Sequence, residues 1–129
     1  MNRKKLISLD FDGVIHSYIS KWTAAHEIHD PPVSGAMEFL TLLVDEFEVA
    51  IFSTRNTHPG AIPAMKVWLL TYLTEYYNGV EEYAKDTLSK ISFPLAKPPA
   101  SVGLDDRIIL FEGEFPSIEK LKTFKPWNK

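Results

Sequence analysis

Apolar residues in this chain follow two rhythms. The runs "KLISLDF" near 5–11 and "EVAIFST" near 48–54 are largely apolar on successive residues, which predicts strands covered on both faces of a parallel sheet. Between them, Ala36, Met37, Leu40, Leu43, Val44 and Phe47 recur at helical spacing, and after the second run Ile62, Met65, Leu69, Tyr72, Leu73 and Tyr76 do the same. Two amphipathic helices follow, the first capped by Ser34 and the second stopped at Asn78-Gly79. Farther on, "KISF" near 90–93 and "ASVGL" near 100–104 are short strand candidates; "RIILF" reads as a strand or turn and "SIEKLKTF" as a terminal helix. The order predicts an α/β fold, a Rossmann-like three-layer sandwich with a mainly parallel central sheet and no separate cap domain.

The segment from Gly13 to Val33 has neither rhythm. It is too short to bury a core of its own, so it reads as a loop or short hairpin covering the end of the sheet. At 129 residues, with 45% hydrophobic and 24% charged, the chain fits one compact, soluble domain spanning 1–129. The net charge of −3 gives no global attraction for nucleic acid, which is admitted only as a substrate. Four lysines in the last ten residues read as a solvated, frayed terminus. The absence of cysteine excludes disulfides, thiolate nucleophiles and sulfur-ligated zinc. The opening "MNRKKLISLD" is broken by Ser8 and ended by Asp10, unlike a signal peptide, and no run nears the roughly 18 apolar residues of a membrane span. A cytoplasmic protein without a membrane partner is the expectation.

Chemistry gathers where the strands end. Ligands of open α/β sheets bind beyond the carboxyl ends of the strands, and there the sequence sets Asp10 and Asp12, then Ser53 and Thr54, then Asp105 and Asp106. Residues two apart on an extended chain project to the same side, so Asp10 and Asp12 can face one point while Phe11 turns into the core. Gly13 then permits a tight turn. Four carboxylates at one end of a sheet raise one another's pKa unless a cation compensates them, and an oxygen-only donor set suits Mg²⁺. Phosphoryl transfer needs an in-line nucleophile, a proton for the leaving oxygen and positive charge on the equatorial oxygens. Asp10 suits the first role and Asp12 the second; Lys97, with Lys90 in reserve, and a Ser53 hydrogen bond would serve the phosphate.

Arg55, beside the hydroxyl pair, suits either a bidentate phosphate contact or a salt bridge to a neighbouring acid. Arg107 reads as a support for Asp105 or Asp106. His26 and His29 lack a third ligand at metal spacing and read as solvated, and His58 falls just after the second strand; His16, nearest the first motif, is a weaker substrate-contact candidate. Tyr18 and Trp22 suit packing of the covering loop, or stacking on a base should the substrate be a nucleotide.

"DFDGV" after an apolar strand, "VAIFST", the lysine of "AKPPA" and "VGLDD", in this order over about residues 6–106, resemble the haloacid dehalogenase superfamily of phosphohydrolases. The resemblance implies an aspartyl-phosphate intermediate on Asp10, with Asp12 protonating the leaving group and then activating water. It also implies Mg²⁺ held by Asp10, the backbone carbonyl of Asp12 and Asp105, with Asp106 bound directly or through water. Dehalogenases of the family lack the second aspartate, so Asp12 favours phosphoryl chemistry. Many family phosphatases carry a cap domain for which this chain has no room. A capless member is expected to take a large phosphorylated substrate such as a polynucleotide end or a phosphoprotein, or to be closed by another copy in a homo-oligomer; small nucleotides are also admitted. Two other readings compete, a phosphoacceptor signalling module and a catalytically silent phosphate-binding module. In the signalling modules the accepting aspartate closes a mid-chain strand, whereas here that strand ends in Ser-Thr-Arg.

Overall fold

The structure, a computed structural model, describes residues 3–129. The two long apolar runs form β1 (Lys5–Leu9) and β2 (Phe47–Ile51), and the later candidates form β3 (Ile91–Ser92) and β4 (Val102–Leu104). All four are parallel in the order β3-β2-β1-β4, so the two strands that carry the main motifs lie side by side in the sheet. Helices flank this sheet, an α/β arrangement consistent with a Rossmann-like three-layer sandwich.

The helices are α1 (Ala36–Glu46), α2 (Ala61–Tyr76), α3 (Glu81–Ser89) and the short α4 (Ile118–Lys122). The first begins differently from the Ser34 cap that the sequence suggests. Gly35 occupies the cap position at φ 83°, a left-handed conformation open to glycine, and no side chain caps the helix. Helix α3 has no predicted counterpart, because it buries only Ala84 and Thr87 and so shows no apolar stripe. Asn78 and Gly79, both at positive φ, follow the end of α2 as expected. The "RIILF" stretch forms no regular element, and Ile108 and Leu110 are exposed.

Strand alternation divides the sheet. Ile7 pairs with Val49 and Leu9 with Ile51, and this parity, continued by Phe11, is buried in one cluster with residues of α1 and α2 such as Leu40 and Leu69. Each fully buried side chain of this size contributes about 1.5–3 kcal/mol. The opposite parity carries Ser8 and then Asp10. Among the described residues, no helix is long and apolar enough to cross a membrane.

The covering segment is fastened at several points. Its ends meet through Ser17 N–H to the Pro31 carbonyl at 3.0 Å and Val33 N–H to the Ile15 carbonyl at 2.8 Å, closing a hairpin-like base without regular strands. Trp68 of α2, absent from the predicted stripe, donates its indole N–H to the Asp30 carbonyl at 3.0 Å and packs edge-on against Phe11 and His16. Ser20 donates twice to Asp30, from its N–H at 2.7 Å and its hydroxyl at 2.6 Å. These bonds outweigh the effect of burial and hold the Asp30 carboxyl below its ordinary range.

Candidate active site

Parallel register builds the first half of the site. Leu9 pairs with Leu104, and the Asp10 N–H continues that ladder to the Leu104 carbonyl at 2.9 Å, which sets Asp10 beside Asp105. Asp106 follows, and one oxygen each from Asp10, Asp105 and Asp106 lies within 4.8 Å of the others. Burial, first, and then the charge of Asp105 and the nearness of Asp106 push the Asp10 carboxyl up from 3.8 to about 8, although the Phe11 N–H donates to it at 2.9 Å. The Asp106 side chain is 2% exposed, and neither of its oxygens meets a hydrogen-bond donor among the described residues. Its nearest cation, Arg107 Nε, stands 4.0 Å away. Arg107 supports Asp105 instead through its backbone N–H, at 2.8 Å from Oδ1.

Buried carboxylate oxygens without donors, close to two further carboxylates, fit a hard cation bound through oxygen. Gly13 keeps the space open: at φ 84°, a Cβ here would run into the Asp106 carboxylate. The turn glycine of the first motif therefore also accommodates the last acid of the constellation.

The second half is made around Asp12. Arg55, 1% exposed, grips both carboxylate oxygens, with Nε to Oδ2 at 2.8 Å and Nη2 to Oδ1 at 3.1 Å. Its Nη1 donates to the carbonyls of Ala24, Ala25 and Glu27 at 3.2, 2.7 and 3.2 Å, so one guanidinium joins the acid to the covering loop. Of the two roles suited to Arg55, the salt bridge is the contact present. His16 adds a bond from Nδ1 to Asp12 Oδ1 at 2.8 Å. Because the Asp30 N–H donates to Nε2 at 3.1 Å, that nitrogen carries the lone pair and Nδ1 carries the proton. Burial pushes the Asp12 carboxyl up, yet the hydrogen bonds from His16 and Arg55 and the guanidinium charge prevail and hold it below its ordinary range. Both oxygens of its carboxylate are thus engaged by Arg55 and His16.

The remaining residues divide by position. Ser53 is buried after β2, where its oxygen caps the 3₁₀ turn Thr54–Thr57 by accepting the Arg55 N–H at 3.1 Å, and its hydroxyl proton remains available. Ser53 and exposed Thr54 border, with Asp10, Asp12 and Asp105, a cleft of about 930 Å³. Lys97 is exposed on an adjoining groove that shares Asp10 and Asp105. Lys90 borders a different groove, at the amino ends of the strands, and pairs with Asp86 at 3.3 Å. That position removes it from the site.

His26, His29 and His58 are exposed, and none joins a potential metal cluster among the described residues. His16 is the residue that sequence reasoning undervalued: its partners lie in a loop without periodicity, and only its spacing of four from Asp12 hinted at them. The C-terminus also differs from a frayed tail. Trp127 Nε1 donates to the Gly13 carbonyl at 2.8 Å, Asn128 Nδ2 to the Ser17 carbonyl at 3.0 Å and Lys129 Nζ to the Tyr18 carbonyl at 3.2 Å. Comparison with known proteins found no matching family model, no matching curated protein and no matching solved structure.

Proposed function

We propose that the protein is a Mg²⁺-dependent phosphomonoester hydrolase that works through an aspartyl-phosphate intermediate on Asp10. The observation that carries this reading is the trio Asp10, Asp105 and Asp106, in which the buried, unpartnered oxygens of Asp106 call for a cation beside a cleft lined by Ser53 and Asp12. Asp10, Asp105, Asp106 and the Asp12 carbonyl would hold Mg²⁺, which supplies positive charge to the phosphoryl oxygens and favours the ionised Asp10.

In the first half-reaction, an Asp10 oxygen forms a bond to phosphorus while the bond from phosphorus to the alcohol oxygen breaks, and Asp12 gives its proton to that oxygen. Asp12 rests ionised between Arg55 and His16, so the proton it gives enters with the substrate: the phosphomonoester monoanion yields it to Asp12, whose proton affinity the arriving negative phosphate raises. In the second half-reaction Asp12 takes a proton from water as the water oxygen bonds to phosphorus and the acyl phosphate bond breaks. Asp10 and inorganic phosphate are thereby released. The Ser53 hydroxyl and Lys97 are the donors assigned to the phosphate oxygens.

Phosphate release measured with and without Mg²⁺, over substrates from p-nitrophenyl phosphate to mononucleotides and phosphorylated oligonucleotides, tests the reading. Asp10→Asn should abolish release while the thermal transition persists. Undiminished turnover in this variant would exclude Asp10 as nucleophile.

A further inference from the structure

The site chemistry uses only the inner part of the cleft. Its outer part is aromatic: Tyr18 and Trp22 of the covering loop and His58 after the 3₁₀ turn line the same space of about 930 Å³. This volume lies in the range of small-molecule sites, about 300–1,000 Å³, and exceeds what a phosphate group alone requires.

Trp22 remains 46% exposed although its ring centroid lies 4.5 Å from Arg55 Cζ. The guanidinium beneath it is held by five hydrogen bonds, so the indole rests on a fixed cation. His58 meets it edge-on at 6.5 Å. Packing of the loop accounts for the face turned to Arg55 and leaves the exposed surface unexplained. Tyr18 is the second aromatic wall and takes φ 54°, a left-handed conformation that is uncommon for a tyrosine. Lys129 secures it by donating to its carbonyl and standing 4.5 Å over its ring. Strained residues of this kind persist where their surroundings hold them and concentrate at ligand sites.

Resting on the phosphatase reading, we propose that this outer region is a nucleobase subsite and that the substrate is a nucleoside monophosphate, with its phosphate at Asp10 and its base against Trp22. Thr57 and Arg107, which also line the cleft, supply a hydroxyl and a guanidinium for the sugar and the base edge. The net charge of −3 and the single arginine exposed on the cleft wall favour a mononucleotide over a polymer, whose successive phosphates need a basic track. Stacking tolerates any base, and the larger purine rings bury more surface, so purine nucleotides bind best.

The test compares kcat/KM for AMP, ribose 5-phosphate and a 5′-phosphorylated oligonucleotide in the wild type, Trp22→Ala and Trp22→Phe, all with Mg²⁺. Calorimetric titration of AMP into Asp10→Asn and Asp10→Asn/Trp22→Ala runs beside it. The expected result is a preference of about tenfold or more for AMP over ribose 5-phosphate, the scale of one base–aromatic stack. Trp22→Ala should collapse that ratio toward one and weaken AMP binding about tenfold, and Trp22→Phe, which keeps a ring, should retain most of both. Equal rates for AMP and ribose 5-phosphate, or a ratio unmoved by Trp22→Ala, overturns the subsite. A preference for the oligonucleotide over AMP overturns the mononucleotide in favour of a polymer end. Should no ester be hydrolysed, the phosphatase reading fails by itself, and calorimetry still decides the subsite: AMP binding that depends on Trp22 upholds it, and no AMP binding overturns it.

Discussion

Two acid clusters meet at the carboxyl end of one sheet, and the fold treats them in opposite ways. Asp12 is surrounded by donors from its own chain, a bidentate guanidinium and an imidazole N–H, and its carboxyl is held below the ordinary range. Asp10, two residues earlier, shares its space with Asp105 and Asp106, and its carboxyl is pushed up to about 8. One cluster is neutralised from within, whereas the other calls for charge from outside. A buried carboxylate supplied with internal partners contributes to structure, and one deprived of them is suited to a ligand.

The largest predicted effect breaks the satisfied cluster. Arg55→Met leaves the Asp12 carboxylate with His16 alone and three loop carbonyls without the guanidinium donor, and removing one partner of a buried ion pair costs about 3–5 kcal/mol. Thermal denaturation should show Tm falling by about 10 °C or more. In the double variant Asp12→Asn/Arg55→Met the loss should be smaller than the sum of the two single losses by about 1 kcal/mol or more. Strict additivity would mean that the pair is not coupled.

An intermediate effect sharpens the comparison, because the two clusters have opposite pH signatures. With the folded Asp10 near 8 and an unfolded value near 3.8, the native state binds more protons in between, so this group lowers stability as pH rises from about 4 to about 8. Asp12 has a depressed folded value, so its contribution is present above its unfolded value and is lost as pH falls through the folded one. Urea midpoints recorded against pH without divalent cations should therefore decline toward pH 8. Asp10→Asn should flatten that decline while the acid limb persists, and an identical slope in the variant would contradict the assignment. The smallest effect concerns the C-terminal contact: Trp127→Phe removes the bond to the Gly13 carbonyl and should cost about 1 kcal/mol, read as faster amide exchange in residues 13–18.

The sheet and the positions of its acids were legible in the sequence because both follow from local rules. Continuous apolar runs mark β1 and β2, and parallel register carries Asp10 and Asp105 to adjacent places. What was illegible depends on closure in three dimensions. Arg55 and Asp12 are 43 residues apart, and nothing in "STRN" distinguishes a buried clamp from a phosphate ligand. The sequence ranks Lys97 ahead of Lys90 without separating them in space, whereas in the structure Lys97 borders a groove shared with Asp10 and Lys90 faces the amino ends of the strands. Helix α3 escaped for a different reason, since its two buried residues are small and one is a threonine.

Gly13 receives Asp106 against its α-carbon and Trp127 on its carbonyl, joining the first motif to segments translated about a hundred residues later. Loop-closure entropy grows with the length of chain enclosed, so such contacts are slow to form and raise the contact order. The acid trio is consequently incomplete until the last strand has docked. A nascent chain that has emerged only as far as β3 holds Asp10 but neither Asp105 nor Asp106, so under the proposed function activity would appear only at the end of folding.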